Sequence, residues 1–385
     1  MSTLIQKKTS QQSIKEGNTR LIFNTLIEYQ PISRAGIKKI TRLSATTVSV
    51  LIEELIEEGL VEERGLTDTT EVGRKGILLA MKAQGAYFLG IEITNTAIKS
   101  DLYDLSFAVV KSYIIDYKGT NELTLKLLAL VEKVESFVNG KLHGRSIGVP
   151  AMVDDKEQRV LSSTVLDSLP DRNLVNILSK VAPSSVIYLY NNSGFVAYAE
   201  KELHKNVRSL FSVDIGDGVG AGLVLDGVLF TGSHGLAGEF GHMSVDYNGE
   251  QCSCGSRGCI ERLINVKAIV KKIENATGKT DLKVEDCVKL LDLGDESALK
   301  VIKETARILS YAINSVINLV DPELVVINGD IKAFGEHLLV PLKEFLDKKN
   351  LRKRQIAVEI SKMKGNSVTF GGAHFAFRNY FNKKN

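Results

Sequence analysis

The sequence predicts an α/β protein in which a small N-terminal helix-turn-helix module precedes a larger, duplicated domain with a cleft between its halves. Three observations predict it. Residues 18–60 carry helical apolar spacing punctuated by two serines in cap positions, Ser33 and Ser44. A strand, turn and returning strand occurs at 88–103 and again at 210–225. Three of the four cysteines crowd into residues 252–259, with His242 upstream.

The N-terminal module is built from short helices. Asn18 is read as the cap of a first helix whose apolar face is Leu21, Ile22, Leu26 and Ile27, ending near Tyr29-Gln30-Pro31. Ser33 caps a second helix through Ile40, Thr41-Arg42-Leu43 makes the turn, and Ser44 caps a third with Val48, Leu51 and Leu55 on one side. Gly59 closes that helix, and strands at 60–63 and 77–81 flank a polar loop holding Arg74 and Lys75, the pattern of a winged helix. The third helix turns Ser44, Ala45, Thr46, Thr47 and Ser49 outward, small side chains able to approach base edges. Arg34, Lys38, Lys39 and Arg42 are placed to hold phosphates, and Arg74 and Lys75 to reach the minor groove or backbone.

Charge distribution supports this. Residues 1–50 hold eight Lys and Arg against two acids, whereas residues 51–80 hold three against eight. A basic cap on a small domain is the footprint of a duplex DNA backbone contact. Winged helices also serve as protein-interaction modules, and the acids from Glu53 to Glu63 would not touch DNA.

At 385 residues, 44% hydrophobic and 25% charged, the chain has the composition of a soluble globular protein with two or three domains. No run of about 18 uncharged apolar residues occurs, so cytoplasmic residence without membrane association is expected.

From residue 87 onward, strands are expected at 88–93, 97–103, 108–115, 146–150, 186–190, 210–215, 221–225 and 324–327. Helices are expected over 122–138 and 284–291, after Asn191-Asn192-Ser193-Gly194 through about Leu203, and a long one from Glu296.

Thiolates on a short glycine-containing loop with one imidazole offer the tetrahedral three-sulfur, one-nitrogen set of a structural zinc site. Cys252, Cys254, Cys259 and His242 are the candidate ligands. Four protein ligands close the shell, so the metal is expected to fix geometry and not to activate water. Glu239 and Glu261 flank those ligands, and two carboxylates with an imidazole suit a polyhydroxylated ligand. A zinc knuckle with two solvated glutamates is the plainer alternative; a disulfide is weaker, since so few cysteines suit a reducing compartment.

The run Gly238-Glu239-Phe240-Gly241-His242, followed by Cys252-x-Cys254-Gly255-x-x-Gly258-Cys259-x-Glu261 and later by Asp321-Pro322-Glu323, resembles the ROK family of repressors and sugar kinases. The resemblance covers nearly the whole chain. It implies an actin-like, hexokinase-like (ribonuclease H-like) fold of two lobes, with residues 1–82 as the winged helix, 83–200 as the first lobe, and 201–385 as the second lobe with the zinc loop and a C-terminal helix that packs back on the first. It also places sugar contacts on Glu239, His242, Glu261 and Asn191.

Departures from the family pattern bear on activity. Kinase members carry an aspartate base where this chain has Asn192, and an amide cannot take the proton from an attacking hydroxyl. Glu92-Ile93-Thr94-Asn95-Thr96 lacks both glycines of the first phosphate loop, Asp217 stands where kinases have threonine, and Asp330 adds a further acid. The expectation is a sugar-responsive regulator, most simply a repressor of carbohydrate-utilisation genes, with no catalytic residues. It would bind operator DNA and a small sugar or sugar derivative as a homodimer or homotetramer. An active ATP-dependent sugar kinase and a repressor governed by a phosphotransferase-system protein are the rivals.

Overall fold

The computed structural model describes residues 11–66, 76–163, 166, 173–349 and 357–383. The N-terminal module contains α1 (Gln11–Tyr29), β1 (Ile32–Ser33), α2 (Arg34–Thr41), α3 (Ala45–Glu57), β2 (Val61–Leu66) and β3 (Ile77–Met81). Its three strands form an antiparallel sheet in the order β1-β3-β2. Ile22, Phe23, Leu26, Ile37, Leu51, Ile52 and Leu79 are buried within it. Two readings are corrected here. Asn18 lies inside α1 and not at its start, because the polar stretch before it continues the helix, with Gln12 Nε2 donating to Glu16 Oε1 at 2.9 Å, an i,i+4 pair. Phe23 takes the inward position assigned to Leu21, which is exposed.

The remainder is a pair of lobes with one topology used twice. The first holds β4 (Tyr87–Ile93), β5 (Ala97–Asp104), β6 (Val109–Asp116), α4 (Gly119–Val138), β7 (Leu142–Val149), the hairpin β8 (Met152–Asp154) and β9 (Arg159–Ser162), α5 (Leu174–Ser179), β10 (Val186–Asn191) and α6 (Asn192–Leu203). Its sheet runs β10-β7-β4-β5-β6.

The second lobe holds β11 (Leu210–Ile215), β12 (Val219–Leu225), β13 (Val228–Phe230), α7 (Ile260–Ile264), α8 (Val266–Thr277), α9 (Val284–Asp292), α10 (Glu296–Val320), β14 (Leu324–Asn328), α11 (Gly335–Lys349) and β15 (Ala357–Ile360). Its sheet runs β13-β12-β11-β14-β15. In each sheet the central strand pairs antiparallel with the strand after it and parallel with a later one, β4 with β5 and β7, β11 with β12 and β14. This is the repeat announced by the two strand-turn-strand segments.

The last helix, α12 (Ser367–Lys383), leaves the second lobe and packs on β4, β7 and α6. Gly371 permits that approach, since a Cβ there would lie 1.9 Å from the carbonyl oxygen of Phe195. The N-terminal module is fastened to the same surface. Phe23 stacks on Phe381 with ring centroids 3.5 Å apart and meets Phe377 at 5.9 Å. The segment joining β3 to β4 is bonded on both sides, Lys82 N to Leu60 O at 2.9 Å and Leu105 N to Ala83 O at 3.0 Å.

Candidate metal centre and ligand cleft

The metal loop hangs between a single 3-10 turn, Phe240–His242, and the start of α7. Gly241 seats that turn on β12, because a Cβ there would sit 2.0 Å from the carbonyl oxygen of Val219. His242 Nδ1 lies 3.7 Å from Cys252 Sγ, and Cys254 Sγ lies 3.6 Å from Cys259 Sγ. All four donor atoms fall within 4.8 Å of one another, the one such group among the described residues. Bonds of about 2.3 Å to sulfur and 2.0–2.1 Å to nitrogen in a tetrahedron give edges of about 3.8 Å and 3.6 Å, so the donor set fits a tetrahedral ion. Burial and hydrogen bonds from its neighbouring thiols push the Cys259 thiol up to about 12. Cys252 is also raised by burial, but hydrogen bonds from Cys254, Cys259 and His242 outweigh that and bring it down to about 7. The cluster thus takes a first thiolate readily, at Cys252, and resists a second beside it.

Three of the four sequence-predicted ligand residues gather beside this centre. Glu239 Oε2 lies 3.9 Å from His242 Nε2, the ring nitrogen turned away from the cysteines. Glu261, on the first turn of α7, accepts from the backbone N–H of Val219 at 3.0 Å. Burial raises the Glu239 carboxyl, with His242 opposing and Glu261 adding to the effect. Asn191 is placed differently. It caps α6 by accepting from Ser193 N at 2.9 Å and donates to Ala151 O at 3.0 Å, so its amide is already committed to structure.

Asn191 also borders a cavity of about 30 Å³ at the seam between lobes, with Val153 and Asp155 on one side and Leu229, Thr231 and Ala237 on the other. That volume admits a water molecule and not a sugar ring. Thr231 Oγ1 donates to Asp155 Oδ2 at 2.7 Å and Lys156 Nζ to Ser233 O at 3.3 Å, fastening the seam. Sequence reading missed Asp155 and Thr231, because neither stands in a motif and only the fold brings a hairpin turn against the loop after β13.

On the opposite side of the cleft, Asn192 Nδ2 donates to Ile93 O at 3.2 Å while its Oδ1 is buried without a hydrogen-bond partner among the described residues. The loop after β4 is closed on itself by Thr94, whose hydroxyl donates to Ala97 O at 3.0 Å and accepts from Ala97 N at 3.1 Å. Burial, reinforced by Glu92 and Asp330 and opposed by Lys332, pushes Asp214 up to about 6. Asp217 faces solvent and pairs with Lys267 at 3.1 Å.

In the N-terminal module, Ser44 Oγ accepts from Thr47 N at 3.0 Å and lies 2.8 Å from Thr47 Oγ1, so Thr47 is drawn toward the cap. Ala45, Thr46 and Ser49 are exposed on α3. Arg34 turns back to Glu53 at 2.6 Å and Glu63 at 3.1 Å, which leaves Lys38, Lys39 and Arg42 as the exposed cations of α2 and its turn. Arg74 and Lys75 lie outside the described residues. No helix among the described residues is long and apolar enough to cross a membrane.

Comparison with known proteins places this geometry. The ROK family profile matches residues 88–378. The xylose repressor of Bacillus subtilis (strain 168) is 28% identical over 337 residues, spanning 83% of this chain and 84% of that protein. Among solved structures, a ROK family transcriptional regulator, a homologue of the E. coli MLC protein, superposes with a TM-score of 0.83 at 24% identity over 96% of this chain and 97% of that one. A ROK family glucokinase from Streptomyces griseus, solved with glucose and AMPPNP, superposes with a TM-score of 0.64 at 21% identity over 76% of this chain and 100% of that one.

Proposed function

This chain belongs to the ROK family, and from that premise we propose that it is a sugar-responsive transcriptional repressor of carbohydrate-utilisation genes whose sugar-kinase-like domain no longer phosphorylates. The observation that carries the reading is the fusion, in one chain, of the ROK domain to a helical module whose α3 presents small polar and methyl-bearing side chains beside exposed cations.

In this reading residues 1–82 form a winged helix-turn-helix, 83–200 the first lobe and 201–385 the second. The α2-turn-α3 unit enters the major groove, with Ser44, Ala45, Thr46, Thr47 and Ser49 toward the bases. Arg42 holds backbone phosphate, Arg34 joins it only by releasing Glu53 and Glu63, and Arg74 and Lys75 belong to the wing. Two-fold operators call for a homodimer, which can pair into a tetramer, in the cytoplasm.

Zinc on His242, Cys252, Cys254 and Cys259 would brace the loop that carries Glu239 and lead into the helix that carries Glu261. The tetrahedral spacing of the donors supports it. His242 Nε2, left facing Glu239, then offers a hydroxyl-binding nitrogen fixed by its coordinated partner. Asn191 contributes by shaping the seam, its amide being engaged elsewhere.

Loss of catalysis is supported by Asn192 at the base position, the self-closed Thr94 turn and the negative charge of Glu92 and Asp330 close enough to Asp214 to raise its carboxyl. A sugar acts by favouring one lobe arrangement, and its effect cannot exceed its differential affinity for the two. Glu239→Gln is expected to retain operator binding and lose sugar-induced release, measured by fluorescence anisotropy on promoter duplexes. Normal release in that variant would remove the ligand assignment.

A further inference from the structure

The third helix carries acids that hold the cations of its two neighbours. Glu53 and Glu54 are consecutive on α3, so their side chains leave the helix about 100° apart. Glu53 takes Arg34 of α2 at 2.6 Å, and Glu54 takes Lys15 of α1 at 2.6 Å. Both members of the second pair are exposed, Lys15 by 50% and Glu54 by 39%, so their ion pair is open to competition from solvent and from other anions.

The Lys15–Glu54 pair borders a groove of about 400 Å³ between α1 and α3. Its apolar lining includes Ile14 and Val50, both half-exposed, and its polar lining adds Asn18, Thr46 and Thr47. Thr46 and Thr47 are side chains assigned above to base edges, so the groove is continuous with the reading face. Its chemistry suits one strand of a duplex. Apolar side chains can meet thymine methyl groups and deoxyribose, the Asn18 amide and the hydroxyls can bond phosphate oxygens, and an ammonium can neutralise the phosphate charge. Glu54 is the group that does not fit, since a carboxylate repels phosphate. An exposed ion pair is weak, whereas a lysine on duplex DNA gains from the release of condensed counterions. Exchange of Glu54 for phosphate is therefore favourable.

We propose that this groove is a further contact on operator DNA, in which Lys15 leaves Glu54 to take a backbone phosphate of the strand beside α3. This rests on the repressor reading and adds α1, through Lys15 and Asn18, to the DNA-binding surface. In the free protein Glu54 holds the place of the phosphate. Every duplex must displace it, and the base contacts of α3 have to outweigh that cost.

Fluorescence anisotropy of the full chain on a promoter duplex, repeated across salt concentrations, tests the proposal. Lys15→Gln is expected to flatten the slope of log K against log salt by about 0.9, the loss of one phosphate contact, and Lys15→Arg to keep the slope. Glu54→Gln is expected to tighten binding about two- to fivefold. Removing Lys15 in the Glu54→Gln background then costs a larger factor than in the natural chain, because no ion pair has to be broken on binding. Arg20→Gln takes the same charge from exposed Arg20, about 140° around α1 from Lys15, and is expected to leave the slope unchanged. An unchanged slope in Lys15→Gln, or an equal fall in Arg20→Gln, overturns the proposal while the repressor reading stands. A smaller assembly in Lys15→Gln, measured by light scattering, assigns the groove to a second copy of the chain and also overturns it. If the natural chain binds the promoter duplex no more tightly than a shuffled duplex, the repressor reading falls and this proposal with it.

Discussion

Asp214 illustrates how a single side chain in the cleft sets a pH dependence. Burial beside Glu92 and Asp330 lifts it from an ordinary value of 3.8 to about 6, so the folded state resists its ionisation. Below pH 3.8 the carboxyl is protonated in folded and unfolded chains alike, and its contribution is fully present. As pH rises toward 6 the unfolded chain releases its proton first, and stability is lost. Asp214→Asn is therefore expected to raise the melting temperature at pH 8, by the equivalent of at most about 3 kcal/mol, and to be neutral near pH 3, as thermal denaturation across pH would record. Ser44 makes the opposite kind of contribution. Its hydroxyl satisfies the Thr47 N–H, so Ser44→Ala is expected to cost about 1 kcal/mol in denaturant unfolding and to weaken operator binding by releasing Thr47.

Among the elements, those governed by neighbours in sequence were legible and those governed by distant partners were not. Ser33 and Ser44 are caps as expected, and Arg42 makes the turn between α2 and α3 in the left-handed region. Each is decided within four residues. The start of α1 was misplaced because its first two turns carry no apolar stripe to read. The limits of α12 were not read at all, since Gly371 and Gly372 resemble a helix break until Phe195 and Ser146 show why no side chain fits there. The Cys3His group was legible because spacing alone restricts where short loops can carry four donors, whereas the Asn191 cap and the Asp155–Thr231 bond exist only in the assembled fold. The loop that carries those donors is also held by backbone bonds, among them Val245 N to Gly258 O and Ile260 N to Met243 O, both at 2.9 Å. Chelation is expected to loosen it, with close to one zinc released per chain on thiol modification and a lower melting temperature afterwards. A zinc content near zero in freshly purified protein would overturn the assignment.

At the scale of the molecule, duplication was visible in two strand-turn-strand segments, but how the lobes close on each other was not. The seam cavity of about 30 Å³ is too small for a sugar ring and is lined by none of Glu239, His242 and Glu261, so a sugar on those residues sits outside it. A ligand that binds only the folded protein stabilises it by about 2.7 kcal/mol at a hundredfold excess over its Kd. Scanning calorimetry with free sugars is expected to show a melting shift of that order for the effector, and a flat response to every sugar would count against the cleft as a receptor. The stacking of Phe23 on Phe381 has a further consequence during synthesis. The DNA-reading module emerges from the ribosome early, yet the rings that cover Phe23 are translated only after both lobes, so the module stays unfinished until then. Chains truncated before α12 are expected to leave the Phe23 ring uncovered and to bind promoter duplexes more weakly than the full chain, as fluorescence anisotropy would record.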